Sequence, residues 1–259
     1  MNLVSVIMNC HNGEKFLNDS VKSVINQTYQ NWELIFFDNA SNDNSKKIIQ
    51  GFKENRIKYF FSKKFLNLYA ARNEAIEKSN GKYISFLDID DYWAPNKLVE
   101  QVKFLENNKE YKIVYSNYYV QNDKKRKKFI KYQNQLPSGL IAQKLLDKYC
   151  VGILTVLLEK RFFEKNYFNS NFNIIGDFDF IINLSKKFKI GSIQEPLANY
   201  RLHENNFSTK KIELHKKELE FWIKENQNKL SLQNLNLRNQ KIYLFKLKFK
   251  SFLSKYLKF

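Results

Sequence analysis

The sequence predicts an α/β domain on a largely parallel sheet, followed by a basic helical extension. Three observations carry this reading. Short apolar runs alternate with amphipathic stretches through the first 90 residues. Three of those runs end in clusters of polar residues. The last fifth of the chain then turns Lys-rich with helical periodicity. The composition supports a folded chain: of 259 residues, 43% are apolar and 16% aromatic, which excludes wholesale disorder. Seven Gly and three Pro exclude collagen-like and Pro-rich architectures. The two cysteines, Cys10 and Cys150, form neither a disulfide framework nor a cysteine zinc cluster.

The first strand is the apolar run at 3–8, and Phe16, Leu17, Val21, Val24 and Ile25 then recur at helical spacing within 14–27. A second strand covers 32–37 and ends at Asp38-Asn39-Ala40-Ser41-Asn42-Asp43, a loop rich in helix-capping residues. A helix at 45–53, a strand at 57–61, a helix at 69–78 stopped near Gly81 and a strand at 83–87 follow. This β-α-β-α-β-α-β order implies parallel strands joined by right-handed crossovers. Ligands in such sheets bind beyond the carboxyl ends of the strands, so residues 9–12, 38–42 and 88–91 converge on one rim. No GxGxxG or Walker loop is present, which argues against a dinucleotide enzyme or a P-loop ATPase.

The cluster Asp88-Ile89-Asp90-Asp91 places three carboxylates within four residues. Crowded like charges are most comfortable around a cation, and oxygen ligands suit Mg²⁺ or Mn²⁺. The plain alternative is a loop whose Asp residues cap a helix starting near Asn96, with Pro95 in its first turn.

The segments Val4-Ser5-Val6-Ile7-Met8-Asn9-Cys10-His11-Asn12, Phe37-Asp38-Asn39-Ala40-Ser41-Asn42-Asp43, Ala71-Arg72-Asn73 and Phe86-Leu87-Asp88-Ile89-Asp90-Asp91 resemble successive signatures of family 2 glycosyltransferases. The resemblance covers about 3–205 and implies an inverting enzyme with the GT-A nucleotide-sugar-binding fold. It divides 1–205 into a donor-binding half (1–110) and an acceptor and catalytic half (111–205). By position, it implies that Asn9, Cys10 and His11 wrap the nucleotide base. Asp38 and Asn39 match a pair, often Asp-Asp, that reads uracil. Arg72 matches a residue that closes the base pocket, although alone it reads equally as a surface arginine. Asp88 and Asp90 match the DxD pair, the first approaching the ribose and the second ligating a divalent metal, Mn or Mg. Asp91 then caps or orients the loop.

Inverting transfer needs a carboxylate to take the proton of the acceptor hydroxyl. Gly176-Asp177-Phe178-Asp179-Phe180 resembles the family's Glu-Asp motif with Gly176 replacing the Glu, which implies Asp177 as the base; alone, Asp177 reads better as a helix N-cap. Asp179 is the fallback. The stretch 199–208 resembles one that closes the site, implying that His203 ligates the metal and Arg201 binds diphosphate or closes the site. Trp93 reads as a core residue or a sugar-stacking ring.

Residues 206–259 hold 12 Lys and 1 Arg against 4 Glu, half of the net charge of +18. Ile242, Phe245, Phe249, Phe252, Tyr256 and Phe259 form an apolar stripe on a helix among lysines, suited to an anionic membrane surface or to packing on the domain; a strand also fits part of it. With no signal-like N-terminus and no spanning apolar run, a cytoplasmic protein, peripheral at the inner face of the membrane, is expected. The expected activity is transfer from a nucleotide-sugar, a UDP-sugar, to a hydroxyl of a glycan or lipid-linked acceptor in bacterial surface polysaccharide synthesis. The rivals are a non-catalytic sugar-nucleotide-binding relative, kept open by Gly176, and a basic nucleic-acid-binding protein, which the acidic rim opposes; no nucleic acid partner is expected.

Overall fold

The computed structural model describes residues 1–122, 124–164, 167–203, 206 and 211–256, with side chains through 252. The first half alternates as expected: β1 (Val4–Cys10), α1 (Leu17–Ile25), β2 (Trp32–Asn39), α2 (Ser45–Gly51), β3 (Ile57–Ser62), α3 (Leu68–Glu77) and β4 (Tyr83–Phe86). The strands β3-β2-β1-β4 are mutually parallel. Their register aligns Val4 with Trp32 and Tyr83, and Leu34 with Ile57, so the ends of β1 and β2 and the loop after β4 share one rim. Along β1 both faces are buried, with Val4, Val6 and Met8 in one core and Ile7 in the other. Burial on both sides is why this strand reads as a continuous apolar run.

Beyond β4 the sheet turns mixed. β5 (Tyr92–Trp93), α4 (Lys97–Asn107), β6 (Ile113–Asn122), β7 (Lys127–Ile130), α5 (Ala142–Asp147), β8 (Leu157–Glu159), α6 (Gly176–Ser185) and β9 (Ile190–Leu202) follow in sequence. The order across the sheet is β3-β2-β1-β4-β8-β6-β9-β5, with β7 also on β6. β4–β8, β8–β6 and β9–β5 are antiparallel and β6–β9 is parallel. Helices α1, α2 and α4 cover one face through Leu17, Val21, Ile49, Leu98 and Val102. Helices α3, α5 and α6 cover the other. Pro95 lies one residue before Asn96, the N-cap of α4, rather than in its first turn, and no Asp side chain caps that helix.

Two long helices, α7 (Ile212–Ser231) and α8 (Arg238–Tyr256), complete the second face. They join at a tight turn in which Asn234 adopts φ 56° and the Leu235 N–H donates to Leu230 O. The strand alternative for the tail is overturned: residues 238–256 are helical. This helix carries two apolar stripes. Gln240, Leu244, Leu247 and Ser251 are buried against its neighbours, while Ile242, Phe245, Phe249 and Phe252 are 43 to 70% exposed. Packing therefore selects a stripe offset from the aromatic one. The side chain of Tyr256, and all of Phe259, lie outside the described residues. No described helix is long and apolar enough to cross a membrane.

Candidate active site

The rim beyond β1, β2 and β4 opens into a cavity of about 610 Å³. Asn9, Cys10, His11, Asn39, Arg72, Asp88, Asp90 and Asp177 all line it, so eight of the eleven expected site residues meet there.

The loops of the rim brace one another. The Asn12 N–H donates to Ser41 Oγ, Gly13 N–H to Ser45 Oγ and Glu14 N–H to Asp43 Oδ2. Asn12 and Ala40 adopt left-handed backbone, φ 54° and 58°, which turns each loop back over its strand. At the end of β1, both polar atoms of the Asn9 amide are buried without a hydrogen-bond partner among the described residues. An unpaired buried amide costs free energy, so it marks a place where a ligand can supply the partner. Cys10 is a buried free thiol whose pKa is raised by burial. His11 sits at the lip, its Nδ1 2.9 Å from Asn39 O and its ring edge-on to Phe65 at 4.6 Å.

Asp38 departs from its expected place. It is 1% exposed, accepts from Ser41 N–H and Tyr59 O–H at 2.9 and 2.8 Å, and does not line the cavity. Its neighbour Asn39 lines the wall, but its amide exchanges two 2.8 Å hydrogen bonds with the Leu66 backbone. Asn39 therefore holds the loop that presents Phe65, Leu66, Asn67 and Leu68 to the cavity. Those four residues carried no signature in the sequence. Only the exposure of Phe65, 63%, marks it as a ring available to a ligand.

Arg72 is 2% exposed, which removes the surface reading. Its Nη2 donates to Asp88 Oδ1 at 2.9 Å, and its guanidinium lies over the Tyr69, Phe86 and Phe168 rings. Burial raises the Asp88 carboxyl while Arg72 opposes the shift. Asp90 Oδ2 lies 2.9 Å from His203 Nε2. Two residues 113 positions apart in sequence are thus brought together, an imidazole nitrogen and a carboxylate oxygen, the latter a hard donor of the kind Mn²⁺ and Mg²⁺ take. Among the described residues no third His, Cys, Asp or Glu joins them.

Asp91 joins the acidic loop to β9: its Oδ1 accepts the Arg201 N–H at 2.8 Å. Arg201 itself is turned along the loop, its Nε donating to Asp90 O and its Nη2 pairing with Asp19 on α1. It is absent from the cavity wall, so of its two expected roles the geometry suits closing the site rather than reaching a diphosphate. Asn206 holds the next turn through the His203 N–H. Glu204, Asn205, Phe207 and Ser208 lie outside the described residues. Trp93 is core, 3% exposed, and donates to Leu154 O.

The opposite wall carries Asp177, near the N-terminus of α6. Burial raises its carboxyl above the ordinary range, and Arg72, the Phe178 N–H and the Tyr69 hydroxyl oppose the shift. The one proton of the Tyr69 hydroxyl is shared between Ile174 O at 3.0 Å and Asp177 Oδ1 at 3.3 Å. The glycine at 176 has a steric reason: a Cβ there would fall 2.5 Å from the Tyr69 ring. Glu218 of α7 accepts the N–H groups of Asn173, Ile174 and Ile175 at 2.8 to 3.2 Å, so the tail holds the segment that delivers Asp177. Asp179 points away, accepting from Trp222 Nε1 and Asn183 Nδ2.

This architecture is shared with solved structures. S. aureus TarS 1–349 in complex with UDP-GlcNAc superposes with a TM-score of 0.65 at 14% identity, over 99% of this chain and 73% of that one. The mannosyltransferase PcManGT from Pyrobaculum calidifontis, in complex with GDP-Man and Mn²⁺, gives 0.64 at 13% identity, over 86% and 64%. At these identities the likeness defines the fold, GT-A. In sequence, the chain is 33% identical over 214 residues to WfgD, the UDP-Glc:α-D-GlcNAc-diphosphoundecaprenol β-1,3-glucosyltransferase of Escherichia coli, covering 81% of each. The profile of glycosyl transferase family 2 matches residues 5–177, and the chain belongs to that family and is a glycosyltransferase.

Proposed function

We propose that the enzyme is a metal-dependent, inverting glycosyltransferase that moves a hexosyl group from a UDP-sugar to a hydroxyl of a lipid-linked glycan at the cytoplasmic face of a bacterial membrane, in surface polysaccharide synthesis. The observation that carries this is the convergence on one cavity of Asp90, the Arg72–Asp88 pair and Asp177, with His203 held against Asp90 from just outside the cavity wall. The unpartnered Asn9 amide and the His11–Phe65 rings suit a nucleotide base. The activity of WfgD supports UDP-glucose as the first donor to test.

In this reading Asp88 faces the ribose, while Arg72 holds its carboxylate in place. Asp90 and His203 would hold the metal, with substrate phosphates and water completing its shell. The bound cation supplies positive charge to the departing diphosphate. Asp177, ionised and partly desolvated, accepts the proton of the acceptor hydroxyl as its oxygen bonds to the anomeric carbon. The bond from that carbon to the phosphate oxygen breaks, and its electron pair leaves with the nucleoside diphosphate. Attack opposite the leaving group inverts the anomeric centre. The exposed Ile242, Phe245, Phe249 and Phe252, set among Lys241, Lys246, Lys248 and Lys250, suit the interface of an anionic bilayer.

The test is a thermal-shift panel of nucleoside diphosphates and nucleotide-sugars with Mn²⁺, with Mg²⁺ and with EDTA. A ligand at a hundredfold excess over its Kd stabilises the native state by about 2.7 kcal/mol. The expected result is a metal-dependent shift with UDP and a UDP-sugar, lost in Asp90→Ala. A wild type that no nucleotide shifts would end the donor-site reading.

A further inference from the structure

Asp177 lies between two cavities. Beside the donor cavity, a second of about 530 Å³ is walled by α5, α6, α7 and α8, and Ile174 and Asp177 line both. Its far wall comes from beyond the family-matched region: His215 on α7, and Asn239, Gln240 and Tyr243 on α8. The Tyr149 hydroxyl, on its near wall, is buried with no hydrogen-bond partner among the described residues. Burial and then the Asp177 charge keep that phenol protonated, so it remains a donor. The His215 and Tyr243 rings meet edge-on at 5.6 Å, and burial keeps the imidazole towards its neutral form.

We propose that this second cavity is the acceptor subsite, taking the pyranose whose hydroxyl Asp177 deprotonates, so that α8 forms part of the active site. The inference rests on the transfer reading above. Its chemistry is that of a sugar site: aromatic planes for the C–H face of a pyranose, with amide and phenol groups for its hydroxyls. The amide of Gln240 is fixed for this by donating to Leu146 O at 2.6 Å. On the same helix, Ile242 and Phe245 face outward, so a lipid carrier lying along that face would keep its sugar beside the cavity. Lys148, also in the lining, supplies a positive charge for a diphosphate attached to that sugar.

The experiment uses the full chain with UDP-glucose and a GlcNAc-α-diphosphate carrying a short alkyl chain. Tyr243→Ala and Asn239→Trp remove an aromatic wall and fill the cavity at exposed positions, which spares the fold. The expected result is a rise of tenfold or more in acceptor KM for both variants. UDP affinity and acceptor-free hydrolysis of UDP-glucose stay within twofold of wild type. Direct binding of the acceptor probe, followed by ligand-observed NMR, should fall in parallel. A wild type that transfers to the probe, with both variants keeping its acceptor KM, overturns the inference and leaves the transfer reading standing. A wild type that binds UDP but not the probe also overturns it. Failure of the wild type to bind UDP removes the transfer reading and the inference with it.

Discussion

On the donor side of the cavity, the loops after β1 and β2 hold each other through residues 29 to 32 positions apart, Asn12 with Ser41, Gly13 with Ser45 and Glu14 with Asp43. On the opposite side, Asp177, the proposed base, depends on Tyr69, 108 positions earlier, and on Glu218 of α7, whose carboxylate gathers three backbone N–H groups just before it. The donor rim is made by adjacent parallel strands whose loops must meet. The Asp177 wall is made where three helices from distant parts of the chain converge. A substitution in the first region should act on ligand affinity, and one in the second on the geometry and proton affinity of a single carboxylate.

The strongest way to break the comparison is Asp177→Asn. Loss of a positioned base costs on the order of 10²–10⁴ in rate. We expect kcat to fall by that much while the Kd of UDP, measured by calorimetry, is unchanged. Weakened UDP binding would place Asp177 with the donor rim instead. Glu218→Gln comes next. It keeps the shape but turns one carboxylate oxygen into an NH₂ that cannot accept, so at least one of the three charge-assisted bonds is lost, each worth roughly 1.5–3 kcal/mol. Denaturant unfolding should show a loss within that range, with kcat lowered about tenfold and UDP affinity retained; a variant as active as wild type would separate the tail from the base.

Tyr69→Phe sharpens the contrast through pH. The base works only as a carboxylate, so activity is lost as pH falls through its pKa. Burial already raises that pKa, and the Tyr69 hydroxyl lowers it. Removing the hydroxyl should move the acid limb of kcat/KM upward, by up to about one pH unit for a hydrogen bond of ordinary strength. A limb that moves down, or stays, would show that Tyr69 does not act on the base. The smallest effect is expected for Asp179→Asn. Its carbonyl can still accept from Trp222 Nε1, so turnover should stay within about twofold and stability within about 1 kcal/mol. A large loss of turnover there would make Asp179 the base.

The two regions also differ in how legible they were. The alternation of β1 to β4 with α1 to α3, and the three polar loops that follow β1, β2 and β4, could be read from hydrophobic periodicity, because β1, β2 and β4 are buried on both faces, while β3 is a half-buried edge strand. Arg72, Asp88 and Asp90 reached the cavity as their positions implied. Asp38 did not, because the left-handed turn at Ala40 carries the chain back and the Ser41 N–H claims its carboxylate. Phe65 and Leu66 were missed because their place depends on the Asn39 amide, a contact across 27 positions. The departure at Gly176 became intelligible only with Tyr69 stacked where a side chain would go.

By itself, then, the sequence determined the parallel half of the sheet and the acidic rim, since both follow from residue periodicity and local loop chemistry, whereas the period-two stretch at 245–250 left the tail open between helix and strand until packing settled it. The tertiary structure decided which stripe of α8 turned inward. Leu244 and Leu247 pack on the domain while Phe245 and Phe249 stay outside, a choice that depends on the shape of the partner surface rather than on spacing. It also decided that Asp90 meets His203 and that Asp177 stands between two cavities. Those are contacts between groups far apart in the chain, and local periodicity contains no term for them.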